Sequence, residues 1–348
     1  MIEMLQRAVA MGGSDIFIIP GAPVTVKVNN ELEKLTEEKV LPADTEKFIR
    51  EMYELAHRDI KHLENEGDDD FSFALLNVSR FRCNAYWQRG TMAAICRIVN
   101  FELPRVEKLG IPDIVMNLYT QRSGMVLVTG PAGSGKSTTL ACLVDRINEN
   151  REAHIITIED PIEYLHRHKK SLVSQREVPN DAATFSRALR AALRQAPDVV
   201  MLGEMRDLDT IRTAITAAET GHLLLSSLHT IGAAKTVDRI IDTFPAEQQA
   251  QIRVQLSMVL KAVVSQRLVP TVDGGRVAVF EVMTVNPAIQ NMIRDGRTHQ
   301  IDNVIYGGSD KNMLSMDNEL QRLVRAGRIT RDIALLYAAN PETLSKRI

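Results

Sequence analysis

Apolar and polar positions follow two different rhythms along the chain. Over the first hundred residues the runs are short and mostly alternating. Ile2 to Met11 has helical spacing, and Asp15 to Ile19 and Val24 to Val28 alternate as strands around the turn Pro20-Gly21-Ala22-Pro23. Pro42 to Leu63 predicts a helix, with Asp44 near its start and Phe48, Met52 and Leu55 on one face. Phe71 to Leu76, Ser79 to Trp87 and Thr91 to Ile98 predict three antiparallel strands, with Gly90 in the last turn. Between the helix and these strands, Glu64 to Asp70 is an acidic stretch without calcium-loop spacing or a closing Glu, so a solvated turn is expected. Residues 1–100 therefore read as a small α+β domain.

Pro104, Gly110 and Pro112 punctuate the stretch from Asn100 to Pro112, and a linker is expected over 101–115. Asp113 to Thr120 predicts a short helix. Beyond it the rhythm changes. Strands become continuously apolar, as in Gly124 to Thr129, His154 to Ile158, Val199 to Leu202 and Leu223 to Leu228. Helical segments separate them at Lys136 to Asn148, Ala182 to Arg194 and Leu208 to Glu219. That alternation predicts an α/β domain over 116–348, a parallel sheet covered on both faces. After Thr243-Phe244-Pro245 the pattern is mostly helical, apart from a hairpin, Val263 to Leu268 and Arg276 to Val282, around Asp273-Gly274-Gly275.

The junction of the first apolar strand and its helix reads Gly130-Pro131-Ala132-Gly133-Ser134-Gly135-Lys136-Ser137-Thr138. This is the phosphate-loop pattern at every fixed position, between the strand and the helix that its chemistry requires. Glycines let backbone N–H groups turn around phosphate oxygens, the helix start adds partial positive charge, and Lys136 adds a full one. The Ser137 hydroxyl suits Mg²⁺. Binding of a nucleoside triphosphate with Mg²⁺ is the reading that follows.

Composition narrows the class. The 348 residues are 45% hydrophobic and 25% charged, and 42 Lys+Arg balance 44 Asp+Glu at a net charge of -2. A nucleic-acid binder is normally basic, and 5% aromatic residues leave few rings for stacking bases, so no nucleic acid is expected. No apolar run reaches membrane-spanning length and no secretory signal is visible. The three cysteines form no CxxC pair, which fits a reducing cytoplasm.

Acids stand where a phosphate loop needs them. Val199 to Leu202 ends in Gly203-Glu204, so Glu204 is the carboxylate at that strand end and a candidate for positioning Mg²⁺ or its water shell. After the His154 to Ile158 strand comes Glu159-Asp160-Pro161-Ile162-Glu163. Glu163 is favoured to orient the attacking water, with Glu159 and Asp160 supporting the metal; helix capping near Pro161 is the ordinary alternative for Asp160. His222 and His229 bracket the Leu223 to Leu228 strand, too far apart for a helical zinc pair but able to sense a γ-phosphate. Arg80, Arg82 and Arg97 on the first domain's strands suit a phosphoryl transition state, and would reach one only by domain closure or from a neighbouring subunit.

Together, Gly130 to Thr138, Ile156 to His166, Val199 to Asp207 and Ala217 to Thr230 resemble the four boxes of the secretion-ATPase superfamily. Gly13-Ser14-Asp15, Gln175-Arg176-Glu177-Val178, Phe244 to Arg253 and Ala288 to Asp295 are similar to the branch that drives type IV pilus retraction. The last segment departs from that branch at Gln290, Met292 and Asp295; Pro179 and the region Asp302 to Lys311 are also atypical. The resemblance implies a PAS-like N-terminal domain, a RecA-like P-loop core, and a homohexamer whose first-domain arginines contact phosphate. It further implies ATP hydrolysis that works on an inner-membrane pilus platform protein, from the cytoplasmic face. A pilus-assembly or type II secretion motor, a nucleotide-switched regulator with little turnover, and a nucleic-acid motor are the alternatives.

Overall fold

Alternation in the N-terminal part builds a one-sided sheet. The computed structural model describes residues 1–28, 31–76, 78–99, 103–307 and 312–348. It divides them between two units, Met1–Glu102 with Glu163–Leu165, and Leu103–Ile162 with His166–Ile348. In the first unit, α1 (Ile2–Ala10), β1 (Asp15–Ile18), β2 (Thr25–Val28) and β3 (Glu31–Lys34) are followed by α2 (Pro42–Leu55) and α3 (Lys61–Glu66). Then come β4 (Asp68–Leu75), β5 (Ser79–Gln88) and β6 (Thr91–Val99). The antiparallel sheet runs β3-β2-β1-β6-β5-β4. Phe71, Phe73, Phe81, Cys83, Cys96 and Ile98 point into a core shared with Met52 and Ile49 of α2. Arg80 and Arg82 alternate onto the other face.

Two expectations for this unit need correction. The single helix over Pro42 to Leu63 is broken: α2 ends at Leu55, His57 takes a positive φ of 50°, and α3 starts at Lys61. The acidic stretch is not a solvated turn. Gly67 caps α3 in the left-handed region, and β4 begins at Asp68. Asp69 is 3% exposed, and its carboxylate accepts from Arg58 Nε at 2.8 Å, Arg58 Nη2 at 2.7 Å and the Tyr53 hydroxyl at 2.9 Å. A buried charge with a bidentate partner is stable only as a complete set. Burial and the adjoining Asp69 raise the Tyr53 phenol far above its ordinary range.

The second unit contains most of the predicted linker: residues 100–102 lie outside the described residues, but α4 (Val106–Leu109) and α5 (Asp113–Met116) belong to this unit. Its order continues β7 (Gly124–Thr129), α6 (Lys136–Asn150), β8 (His154–Glu159), β9 (Leu172–Glu177), α7 (Phe185–Ala192), β10 (Val199–Leu202), α8 (Leu208–Glu219) and β11 (Leu223–Leu228). There follow α9 (Ala233–Asp242), α10 (Ala246–Val259), β12 (Leu260–Pro270), β13 (Arg276–Thr284), α11 (Pro287–Arg294) and α12 (Ile301–Tyr306). Last are α13 (Met316–Arg325), α14 (Arg331–Tyr337) and α15 (Pro341–Ser345). Of the atypical region Asp302 to Lys311, residues 308–311 lie outside the described residues.

The seven-stranded sheet has the order β13-β12-β7-β11-β10-β8-β9. All neighbours are parallel except β12 and β13. Alternate residues of one strand enter different cores, Met125 and Leu127 on one face, Val126 and Val128 on the other. That double burial is why these strands read as continuous apolar runs. The hairpin is more than an appendage to the helical part, because β12 pairs directly with β7. β9 escapes prediction because Ser174, Gln175 and Arg176 make its run polar, as suits an edge strand.

Removing Arg58 leaves the Asp69 charge buried. Arg58→Ala is expected to cost about 2 to 3 kcal/mol of first-unit stability. The check is urea unfolding followed by the fluorescence of Trp87, the chain's one tryptophan; an unchanged midpoint would show that Tyr53 alone satisfies Asp69.

Candidate nucleotide site

The loop between β7 and α6 takes its shape from glycines. Gly130, Gly133 and Gly135 have φ of 144°, 72° and 87°. Two of them also meet a wall. A Cβ on Gly130 would stand 2.2 Å from the Gln266 carbonyl oxygen, and one on Gly135 2.9 Å from Gln266 Nε2. Gln266 belongs to β12, and its Oε1 accepts from Thr139 Oγ1 of α6 at 2.7 Å. The loop is thus braced from behind by a side chain that no motif announced; only the predicted hairpin pointed toward it.

Lys136 is buried at the floor of the loop, where Nζ donates to the carbonyl oxygens of Gly130 and Pro131, both at 2.9 Å. Pro131, Ala132, Gly133 and Ser137 form an exposed rim, with Gly135 and Thr138 half-buried. Ser134 Oγ is buried without a hydrogen-bond partner among the described residues. A buried hydroxyl left over beside a lysine and an exposed rim is the donor set that phosphate oxygens complete. The residues therefore fit a nucleotide's phosphates. Among the described residues no three His, Cys, Asp or Glu side chains form a protein cage for a metal. Mg²⁺ characteristically keeps several waters and takes phosphate oxygens with one or two protein ligands, so Ser137 suits it.

Strand register brings the other candidates to the same edge. Thr129 is level with Leu228, and Leu202 is level with both Ser226 and Ile158. His229, Glu204 and Asp160 therefore follow strand ends one, two and three strands from the phosphate loop, or about 5, 10 and 14 Å across the sheet. Glu204, 13% exposed, is held between two partners: Arg206 Nη2 at 2.5 Å and His229 Nε2 at 3.2 Å. The hydrogen bond and charge of Glu204 raise the Arg206 guanidinium above its ordinary value. A cavity of about 390 Å³ opens beside this pair, lined by Arg206, Arg239, Thr230 and Thr243 over an apolar floor that includes Leu228 and Ile240. Asp160 and Glu163 are exposed. Glu159 is 8% exposed and accepts from Thr157 Oγ1 at 2.7 Å and Gln175 Nε2 at 3.3 Å.

His222 requires correction. It precedes β11 at the opposite end from His229, level with the start of β7, and its carbonyl accepts from Gly124 N. Six extended residues separate the two ends by about 20 Å. Its Nδ1 contacts Thr220 Oγ1 at 3.1 Å and Ala217 O at 3.0 Å. It is not placed to sense the γ-phosphate of its own loop. In the first unit, Arg82 faces Arg97 across β5 and β6, Arg97 Nε donates to Asp15 Oδ1 at 2.9 Å, and Arg80 Nη2 donates to Ser72 Oγ at 2.7 Å. All three share the sheet face opposite the core.

The segment carrying His229 is tied down from β12 and β13. Gly232 N donates to Ser265 Oγ and Ala233 N to Glu281 Oε1, each at 3.0 Å. Burial pushes the Glu281 carboxyl up to about 7; Asp302 and Asp317 add to this, while the Ala233 N–H and Arg267 oppose it. Ser265 and Glu281 carry no sequence signal beyond being polar residues in largely apolar strands.

Comparison with known proteins identifies the family and the fold. Residues 1–330 match the family described as type II/IV secretion system protein. The chain is 42% identical over 341 residues to the type IV pilus retractation ATPase PilT of Pseudomonas aeruginosa, covering 98% of each. It is 50% identical over 277 residues to a twitching motility protein of Neisseria gonorrhoeae, covering 79% of this chain and 74% of that one. The crystal structure of the pilus retraction motor PilT with bound ADP superposes with a TM-score of 0.90 at 43% identity, covering 99% of both chains.

Glu281 makes stability depend on pH with a definite sign. Its folded pKa lies above the roughly 4.3 of a free Glu, so the folded state holds the proton more tightly. The stabilisation is complete below the unfolded pKa and is lost as pH rises through about 7. Glu281→Gln keeps an acceptor for Ala233 N. Its melting temperature is expected to fall less than the parent's between pH 5.5 and 8; parallel curves would refute the assignment.

Proposed function

This chain belongs to the type II/IV secretion system protein family, and from that premise we propose that it is the ATP-hydrolysing motor that retracts a type IV pilus. The observation that carries the reading is the combination of a complete phosphate cradle with likeness to a retraction ATPase over the whole chain, first unit included. The residues divide the work. Backbone N–H groups from Gly130 to Gly135, with Lys136, hold the ATP phosphates. Ser137 would hold Mg²⁺, with Glu204 and Asp160 supporting it through its water shell; when bound, the ion neutralises charge on the phosphate oxygens. Glu163 orients the attacking water. His229 stands one strand from the phosphate loop, and its hydrogen bond with Glu204 fixes its ring, so that it can report the state of the phosphates to the neighbouring strand.

Arg80, Arg82 and Arg97 supply guanidinium groups to a transition state with spread negative charge. Their place in the first unit suits a homohexameric ring in which a subunit completes its neighbour's site. Hydrolysis then moves the units against each other and drives an inner-membrane platform protein, with the motor held at the cytoplasmic face by partners. Among the described residues no helix is long and apolar enough to cross a membrane.

The test is the number of surface filaments in a strain lacking the gene, counted by electron microscopy. Excess pili with lost twitching, restored by the parent chain but not by Lys136→Ala, is the expected result. Cells without pili would assign the motor to assembly instead.

A further inference from the structure

The Gln175-Arg176-Glu177-Val178 motif takes no part in the phosphate cradle or in the Glu204–His229 pair. It lies at the end of β9, parallel to β8, with Glu177 level with Glu159. The loop that carries Glu163 runs between these two strands. Glu177 is 3% exposed; its Oε2 accepts the Ile162 N–H at 3.1 Å and its Oε1 accepts from Asn180 Nδ2 at 2.6 Å. Two residues earlier on the same strand face, Gln175 Oε1 accepts the His166 N–H at 2.8 Å, while its Nε2 reaches Glu159 Oε1. The backbone on both sides of residues 163–165 is therefore tied to one face of one strand.

A carboxylate is a costly choice for this task. Glu is almost never fully buried unless it is paired, and a neutral side chain could accept a backbone N–H as well. What the charge adds is strength, because a charge-assisted hydrogen bond is roughly twice as strong as a neutral one. Such a bond is useful where a loop must hold a catalytic group to within a fraction of an ångström.

We propose that Glu177 and Gln175 are positioning residues that clamp the two shoulders of the Glu163 loop, setting where its carboxylate meets the attacking water. The proposal rests on the reading of Glu163 as the water-orienting acid. A misplacement of about 1 Å at such a group can cost on the order of 100-fold in rate.

The experiment uses the full-length protein and its Glu177→Ala, Glu177→Gln, Gln175→Ala and Glu163→Gln variants, with the Glu163→Gln/Glu177→Ala double variant. The readouts are kcat and KM for ATP hydrolysis, affinity for a fluorescent non-hydrolysable ATP analogue, and hydrogen exchange in peptides spanning residues 160–166. Glu177→Ala is expected to lower kcat about 10- to 100-fold, leave analogue affinity within about twofold, and speed exchange in that loop. Glu177→Gln, which keeps an acceptor but loses the charge, should recover only part of kcat. The double variant should be no slower than Glu163→Gln, since the two act as a unit. Faster exchange with an unchanged kcat, or multiplying losses in the double variant, would overturn the clamp. Normal turnover in Glu163→Gln would instead sink the reading of Glu163, and slow Glu177→Ala beside it would mean that the loop positions some other group. If Glu177→Ala does not fold, Gln175→Ala tests the other shoulder with the buried carboxylate left in place.

Discussion

β7, β11, β10 and β8 run parallel, and their C-terminal ends fall within two residues of one another along one edge. The second unit's candidate groups follow that edge. The phosphate loop leaves β7, His229 leaves β11, Glu204 leaves β10 and the Glu163 loop leaves β8. A register shift of one residue on any of these strands would exchange its two faces and tear apart both cores that flank the sheet. Apolar packing thus sets the spacing of polar groups that never enter it. The same alternation that buries Met125 and Val126 on opposite faces leaves Gly130 where a turn must begin.

The strands outside this set hold its loops. β12 presses Gln266 against the glycines of the phosphate loop, β12 and β13 together fasten the start of α9, and β9 fastens both shoulders of the Glu163 loop. In each case a side chain from an adjacent strand satisfies backbone N–H groups or closes off space behind a turn. Buried polar groups of this kind are stable only when their partners are in place, so they also restrict the loops to one arrangement. The surroundings of Glu281 raise its affinity for a proton, which brings a pH dependence to the anchoring of the His229 segment.

How legible the molecule was from its residues depended on the range of the interaction. The phosphate loop, the apolar strands and the helices between them are local patterns, and each stood where periodicity and glycine placement predicted. The placement of Glu204 and His229 was legible because a residue just past an apolar parallel strand emerges at the strand's C-terminal end. His222 was misjudged for the converse reason: residues flanking the same strand emerge at opposite edges, and sequence proximity to His229 conceals that distance. The acidic stretch before β4 was misjudged because composition cannot show Arg58 and Tyr53 closing over Asp69.

By itself the sequence determined the two-part organisation, the α/β core and the nucleotide chemistry. Turn geometry, strand burial and phosphate recognition each need particular residues at short spacing, and that spacing is written along the chain. Only the tertiary structure decided which polar side chains support that chemistry. Gln266, Ser265, Glu281, Gln175 and Glu177 act on residues 9 to 127 positions away along the chain, and what joins them is strand pairing across the sheet rather than any local motif.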